Sequence, residues 1–226
     1  MTRPLADATW PQVEARPRQV LLVPVGSLEQ HGPHLPLDTD TRIAAAVAHH
    51  AHESRPQTGL APAIAYGASG EHAGFPGTVS IGTRALALLV VELVRDASRD
   101  WAGILVVNGH GGNADALRQA AQVCAQEGRR LVVHHLHTPG GDAHAGRTET
   151  SLMLHLAPSA VRHDLAEAGA TDPLPALMPR LRAEGVRAVS PNGVLGDPAG
   201  ATATEGARLF QGLTRSLLDR IDDEIR

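Results

Sequence analysis

Val20-Leu21-Leu22-Val23-Pro24-Val25 runs without a polar side chain into Gly26-Ser27-Leu28-Glu29-Gln30-His31-Gly32-Pro33-His34-Leu35-Pro36-Leu37-Asp38-Thr39-Asp40. A short apolar run ending in turn residues reads as a buried strand, about 19 to 25. The loop leaving the carboxyl end of such a strand is where α/β proteins place their chemistry. Glu29 and His31 are two apart, and in extended chain that spacing points both side chains the same way. Asp40 lies far enough on to swing back after the Gly-Pro turns. Two carboxylates and an imidazole suit a divalent cation such as Zn²⁺, Mn²⁺ or Fe²⁺. Read alone, the same residues also fit a solvated loop in which Asp40 caps the next helix.

The rest of the chain repeats this pattern. Helices are expected at 41 to 53, 83 to 101, 114 to 127, 148 to 156 and 175 to 184. A last helix starts at Thr202-Ala203-Thr204-Glu205, which has capping-box spacing. Strands are expected at 60 to 66, 103 to 107 and 130 to 135, with Pro62 marking the first of these as an edge. Alternating strands and helices predict a three-layer α/β/α sandwich with a mainly parallel central sheet, as a single domain over 1–226. In the helix after residue 83, Leu86, Leu89, Val90, Leu93, Val94 and Ala97 form one apolar stripe. Trp10 and Val13 are expected to pin a short helix onto the body. Residues 157 to 198 are proline-rich and irregular.

Composition narrows the function. With 226 residues the chain can bury a substantial core. Lys and Arg number 20 against 24 Asp and Glu, and no basic block occurs, so neither nucleic acid nor an anionic membrane is an expected partner. Two Trp, one Tyr and two Phe leave few platforms for base stacking. The single cysteine, Cys124, reads as a core filler, since no local partner would lower its pKa. Met1 to Gln19 has no apolar leader region and no run approaches a membrane span, so a cytoplasmic location is expected. Thirteen histidines point any metal chemistry toward N and O ligands.

Further polar clusters follow other strands. Gly67-Ala68-Ser69-Gly70-Glu71-His72-Ala73-Gly74-Phe75-Pro76-Gly77-Thr78 is long for a plain connection and is expected to line a pocket, with Ser69 and His72 toward substrate. His110 sits in Asn108-Gly109-His110-Gly111-Gly112-Asn113. Its glycines permit close backbone approach to a ligand and positive φ, and Gly111 and Gly112 are candidate substrate contacts. The spacing does not match a dinucleotide fingerprint. In His144-Ala145-Gly146-Arg147-Thr148-Glu149-Thr150-Ser151, Glu149 reads either as a helix-dipole acid or as a ligand, with His144 a nearby proton carrier. His49, His50 and His52 read as surface residues, and His134, His135 and His137 are not expected to ligate. Glu29, His31, Asp40, His110 and Glu149 are more ligands than one open zinc site uses, and suit a pair of metals bridged by one carboxylate. That arrangement implies hydrolysis of an amide or related C–N bond.

Four segments resemble the creatininase (creatinine amidohydrolase) family: Pro24 through His34, Phe75-Pro76-Gly77-Thr78, Asn108 through Asn113, and His144-Ala145-Gly146 with Glu149-Thr150-Ser151. The resemblance implies a dinuclear metal amidohydrolase, usually a homo-oligomer. Ligand roles then fall on Glu29, His31, Asp40 and His110, with Asp40 as the bridge, and proton transfer falls on His144. The family's glutamate ligand two residues after the histidine is replaced by Gly112, and Glu149 is the candidate substitute. Gly141 through Ser151, and Val189-Ser190-Pro191-Asn192-Gly193-Val194-Leu195-Gly196-Asp197-Pro198, are similar to a narrower branch, the creatininase-family peptidases of the mycofactocin system. That branch implies release of a C-terminal dipeptide from a radical-SAM-modified precursor peptide by a metal-activated water, with two divalent ions (Fe²⁺, Zn²⁺ or Mn²⁺) per subunit. The alternatives are a hydrolase of small cyclic amides or formamides, and a non-catalytic metal-binding subunit of a biosynthetic complex.

Overall fold

The computed structural model describes residues 3–225. Its sheet contains β1 (Val20–Val25), β2 (Thr58–Leu60), β3 (Gly103–Asn108) and β4 (Leu131–His135), all parallel, in the order β2-β1-β3-β4. The central pair, β1 and β3, is wholly buried, which is why both read as unbroken apolar runs. Along each strand the side chains alternate between two cores. Val20, Leu22, Leu105 and Val107 join one core, and Leu21, Val23, Ile104 and Val106 join the other.

Helices α1 (Trp10–Glu14), α2 (Thr39–Ser54), α3 (Gly82–Ala97), α4 (Ala114–Gln126), α5 (Arg147–Leu156), α6 (Leu174–Glu184), α7 (Val186–Val189) and α8 (Ala203–Ile225) complete the described residues, with short 3-10 turns between. Helices α2, α5 and α8 cover one face through Val47, Met153 and Leu217. The other face is covered by α3 and α4, through Leu86, Val90, Val94, Leu117 and Ala120. This is the three-layer α/β/α arrangement. A third, smaller cluster joins α6 and α7 to the loop before α3 through Leu177, Leu181, Val186 and Phe75.

Several local expectations need correction. The second strand lies at 58–60 and not 60–66: the ladder runs as far as Ala61 N–H on the Leu22 carbonyl, and Pro24, next along on β1, has no N–H to donate back. Pairing resumes only as a bridge between Val25 and Ile64. Asp38, not Asp40, stands at the N-cap of α2, whose first turn reaches Asp40. On α3 the buried stripe is Leu86, Ala87, Val90, Val91 and Val94, two i, i+4 rows facing the sheet, while Leu89 is exposed. Trp10 is 76% exposed, so only Val13 anchors α1 to the body. His49 and His50 are exposed as expected, but His52 is fully buried, with its Nδ1 3.0 Å from Thr58 Oγ1. The opening of α8 forms half of the anticipated box. Glu205 N–H donates to Thr202 Oγ1 at 3.1 Å, but the Glu205 carboxylate accepts from Arg147 and Ser151 instead of returning to the cap. Among the described residues no helix is long and apolar enough to cross a membrane.

Candidate metal centre and active site

A parallel sheet sends every strand end to the same edge. The loops after β1, β3 and β4, and the long connection 67–78, therefore meet at one place. Asn113 ties three of these segments together. Its Oδ1 accepts from Ala68 N–H at 2.8 Å, and its Nδ2 donates to the Gly26 carbonyl at 2.9 Å and to Asn108 Oδ1 at 3.0 Å. Asn108 in turn donates to the His110 carbonyl at 2.7 Å.

Glu29, His31 and Asp40 converge within the reach of one ion, and so do His31, His144 and Glu149. The hydrogen bonds decide which nitrogen of each ring is free. His31 Nδ1 donates to the Glu29 carbonyl at 3.1 Å, leaving Nε2 facing Asp40 Oδ1 at 3.1 Å and Glu149 Oε2 at 4.0 Å. His110 Nε2 donates to the Ala68 carbonyl at 3.2 Å, leaving Nδ1 facing Asp40 Oδ2 at 3.2 Å. The two oxygens of Asp40 thus address two different histidines, the disposition a bridging carboxylate requires. Ser27 Oγ–H orients that group by donating to Oδ2 at 2.7 Å. Glu149 lies in the first turn of α5 and also accepts from Ala145 N–H at 2.6 Å, so it serves the helix start and the cluster together.

The electrostatics are those of a cation site. Burial pushes the Glu29 carboxyl up, and Asp40 adds to this, but the charge and hydrogen bonding of His110 together with the charge of His72 bring the group down to about 2. Asp40, also raised by burial, is drawn well below the usual range by His31 and His110. Burial pulls His31 down, yet Asp40, with Glu149 and Glu29 behind it, raises it to about 10. Glu149 is pushed up to about 7, first by burial and then by Asp40. Acids packed this closely need positive charge among them. Neither oxygen of the fully buried Glu29 carboxylate has a well-aligned hydrogen bond, although His72 Nε2 lies 3.3 Å from Oε1 and His110 Nε2 lies 3.2 Å from Oε2. A buried carboxylate whose oxygens are left without aligned hydrogen bonds, beside imidazole lone pairs and further carboxylates, fits a hard or borderline divalent ion.

The remaining candidates are distributed around this cluster. His144 Nε2 donates to the Gln30 carbonyl at 2.9 Å, so its Nδ1 is the free nitrogen, 3.8 Å from Glu29 Oε1. Burial, followed by the charges of His31 and His72, keeps its pKa well below the ordinary value, so the ring is neutral. Ser69 is fully buried, with Oγ 3.4 Å from His110 Nε2, and it packs behind the histidine instead of in the open cleft. His72 Nε2 lies 3.3 Å from Glu29 Oε1. Gly111 and Gly112 line the cleft, but neither has positive φ; a Cβ at 111 would meet open space, so only at 112 does the absence of a side chain matter for packing. At 112 a Cβ would collide with Glu71 Oε1 and His110 Nε2. Glu71 therefore occupies the room a side chain at 112 would need, and its Oε1 is 3.5 Å from His110 Nε2. Sequence reading passed over Glu71 and Gln30. The one available signal was the exchange of a family glutamate for Gly112.

The cluster forms the floor of a cleft of about 1250 Å³. One wall is the 170–186 segment, including Thr171, Leu174, Met178 and Arg182, and the other includes His137, Thr138 and Asp142. The irregular stretch beyond residue 157 therefore shapes the entrance.

The family model for creatininase, described as creatinine amidohydrolase, matches residues 6–221. The chain belongs to the creatininase family. Its relatives include a mycofactocin precursor peptide peptidase of Mycolicibacterium smegmatis, 55% identical over 89% of this chain and 84% of that protein. A creatinine amidohydrolase of Pseudomonas putida is 28% identical over 97% of this chain and 96% of that one. Among solved structures, one titled "Creatininase Mn" superposes with a TM-score of 0.81 at 25% identity, covering 100% of this chain and 99% of the other. Creatininase-family membership makes this chain a hydrolase of C–N bonds, and its cluster is of the kind that could hold a divalent metal.

Proposed function

We propose that the chain is a metal-dependent peptidase of the mycofactocin system, releasing a C-terminal dipeptide from the radical-SAM-modified precursor peptide. The observation that carries this reading is the cleft. At about 1250 Å³ it exceeds the ~300–1,000 Å³ usual for small-molecule sites, so a peptide tail can enter where a small cyclic amide would rattle. The 55% identity to a relative named for that activity, against 28% to a creatinine amidohydrolase, points the same way.

Glu29, His31, Asp40, His110 and Glu149 are the residues that would hold two divalent ions, Fe²⁺, Zn²⁺ or Mn²⁺, with Asp40 shared between them. When bound, such a pair acidifies water and polarises a carbonyl. His144 supplies the proton traffic. Its Nδ1 takes a proton from the attacking water as the C–O bond forms, and delivers it to the amide nitrogen as the C–N bond breaks. A neutral, buried imidazole is in the correct starting state for this. Gly111 and Gly112 expose backbone to the substrate beside the cluster. Ser69 supports His110 from behind. A single domain spanning 1–226, a homo-oligomer and a cytoplasmic location complete the reading.

The test is mass spectrometry of the modified precursor peptide incubated with the protein loaded separately with Fe²⁺, Zn²⁺ or Mn²⁺. Loss of a dipeptide is expected for the intact site, and severe loss of that activity in Glu29→Ala and His144→Ala. No cleavage by folded, metal-loaded protein would shift the assignment to a small-amide hydrolase, to be followed on creatinine and formamides.

A further inference from the structure

Gln30 is buried beside the candidate ligands, and its side-chain amide meets three separate segments. Its Oε1 accepts from Gly32 N–H at 2.8 Å. A backbone N–H can only donate, so the oxygen end of the amide is settled. Its Nε2 donates to the Gly193 carbonyl at 3.0 Å. The same nitrogen is 2.8 Å from His72 Nδ1 and 3.1 Å from His144 Nε2. An amide nitrogen has two hydrogens, and Gly193 takes one. His144 Nε2 cannot accept the other, because it donates its own proton to the Gln30 carbonyl. The second hydrogen therefore goes to His72, whose Nδ1 must be a lone pair. A neutral His72 then carries its proton on Nε2, the nitrogen 3.3 Å from Glu29 Oε1.

We infer that His72 is a positioning residue that presents an N–H to the Glu29 carboxylate, and that Gln30, held by Gly193, sets the required tautomer. Distance alone suggests otherwise, since Glu29, His72 and His144 are spaced to hold an ion. The proton positions remove His72 from that set: one nitrogen is occupied by Gln30 and the other bears hydrogen. Oriented ligands of this kind bind metal more tightly, because the carboxylate does not have to be reorganised. The arrangement also gives a role to the Asn192-Gly193-Val194-Leu195 segment. Gly193 has φ +83°, and a Cβ there would collide with Gln30 Oε1. Two residues on, the Leu195 backbone exchanges hydrogen bonds with His144, at 2.9 and 3.2 Å. One short segment, distant in sequence, thus keys both histidines against the site.

This inference rests on Glu29 being a metal ligand, so the experiment separates the two claims. The full chain, labelled with ¹⁵N-histidine and loaded with Zn²⁺, is studied by long-range ¹H–¹⁵N NMR. His72 is expected as the neutral Nε2–H tautomer with no metal-bound nitrogen. A metal-bound His72 nitrogen, or an Nδ1–H tautomer, would overturn the inference. Zn²⁺ affinity, measured by chelator competition, should fall about 10–100-fold in His72→Leu and recover most of that loss in His72→Gln, which keeps a donor. Equal loss in both variants would count for direct ligation and against positioning. Should Glu29→Ala leave Zn²⁺ affinity intact, the metal-centre reading fails, whatever tautomer His72 adopts.

Discussion

At position 112 a methyl group has nowhere to go. A Cβ would meet the Glu71 carboxylate, which can swing away, but also His110 Nε2 and the Ala68 carbonyl, 2.5 Å distant, which cannot. Gly112→Ala should therefore displace His110 from Asp40. Overpacking of this kind costs about 1–3 kcal/mol of stability, and the disturbed ligand should lower metal affinity by about 10–100-fold. Thermal unfolding and chelator competition on the same variant check both. Most of the candidate ligands were legible because their chemistry is written in residue type. Acids and histidines in glycine-rich loops after apolar runs have few other uses. Gln30 and Glu71 were not legible, because a glutamine or glutamate in a polar loop acquires meaning only from what lies opposite it. His52 shows the reverse error. On a helix it read as surface, yet its ring is buried against Thr58, because the face of α2 that meets the body is chosen by packing.

Helices α3 and α4 are stitched at their carboxyl ends by charge. Arg95 and Arg129 on either side of Glu127 donate to its carboxylate, with Arg95 and Arg129 Nε both at 3.1 Å. The hydrogen bonds from Arg95, ahead of those from Arg129, hold the Glu127 carboxyl at about 2, below its ordinary 4.5. A depressed carboxylate stabilises the fold above its unfolded pKa and loses that contribution as pH falls through the folded one. Melting temperature followed from pH 5 down to pH 2 should thus fall more steeply in the wild type than in Glu127→Gln. The variant should be the less stable at pH 5, and the two curves should converge near pH 2. Parallel curves would show that the pair contributes nothing. The elements themselves were readable where periodicity was strong, as in β1, β3 and the core face of α3. They slipped where a single residue overrode the pattern, as Pro24 of β1 did in cutting short the ladder with β2.

Across the whole molecule, the cluster is built from loops that follow different strands, so an ion held there would bind the folded chain and not the unfolded one. At a hundredfold excess over its dissociation constant such an ion adds about 2.7 kcal/mol of stability. Differential scanning with Zn²⁺ or Mn²⁺ should raise the melting temperature, chelator should reverse the rise, and Glu29→Ala should abolish it. An unchanged melting point in the wild type would argue that the cluster holds no ion.

Residue type and hydrophobic period alone determined the α/β/α class, the buried strands and the polar loops at their carboxyl ends, because burial and strand geometry are local and repeat along the chain. They also supplied the acids and imidazoles of the candidate centre, since their chemistry does not depend on neighbours in sequence. Only the tertiary structure decided which nitrogen of each histidine is free, that Asp40 faces two of them, that Glu71 occupies the space beside Gly112, and that residues 170–186 wall a cleft of about 1250 Å³. Those are relations between groups up to 163 positions apart, as between Gln30 and Gly193, and hydrogen-bond direction and excluded volume exist only once the chain has brought them together.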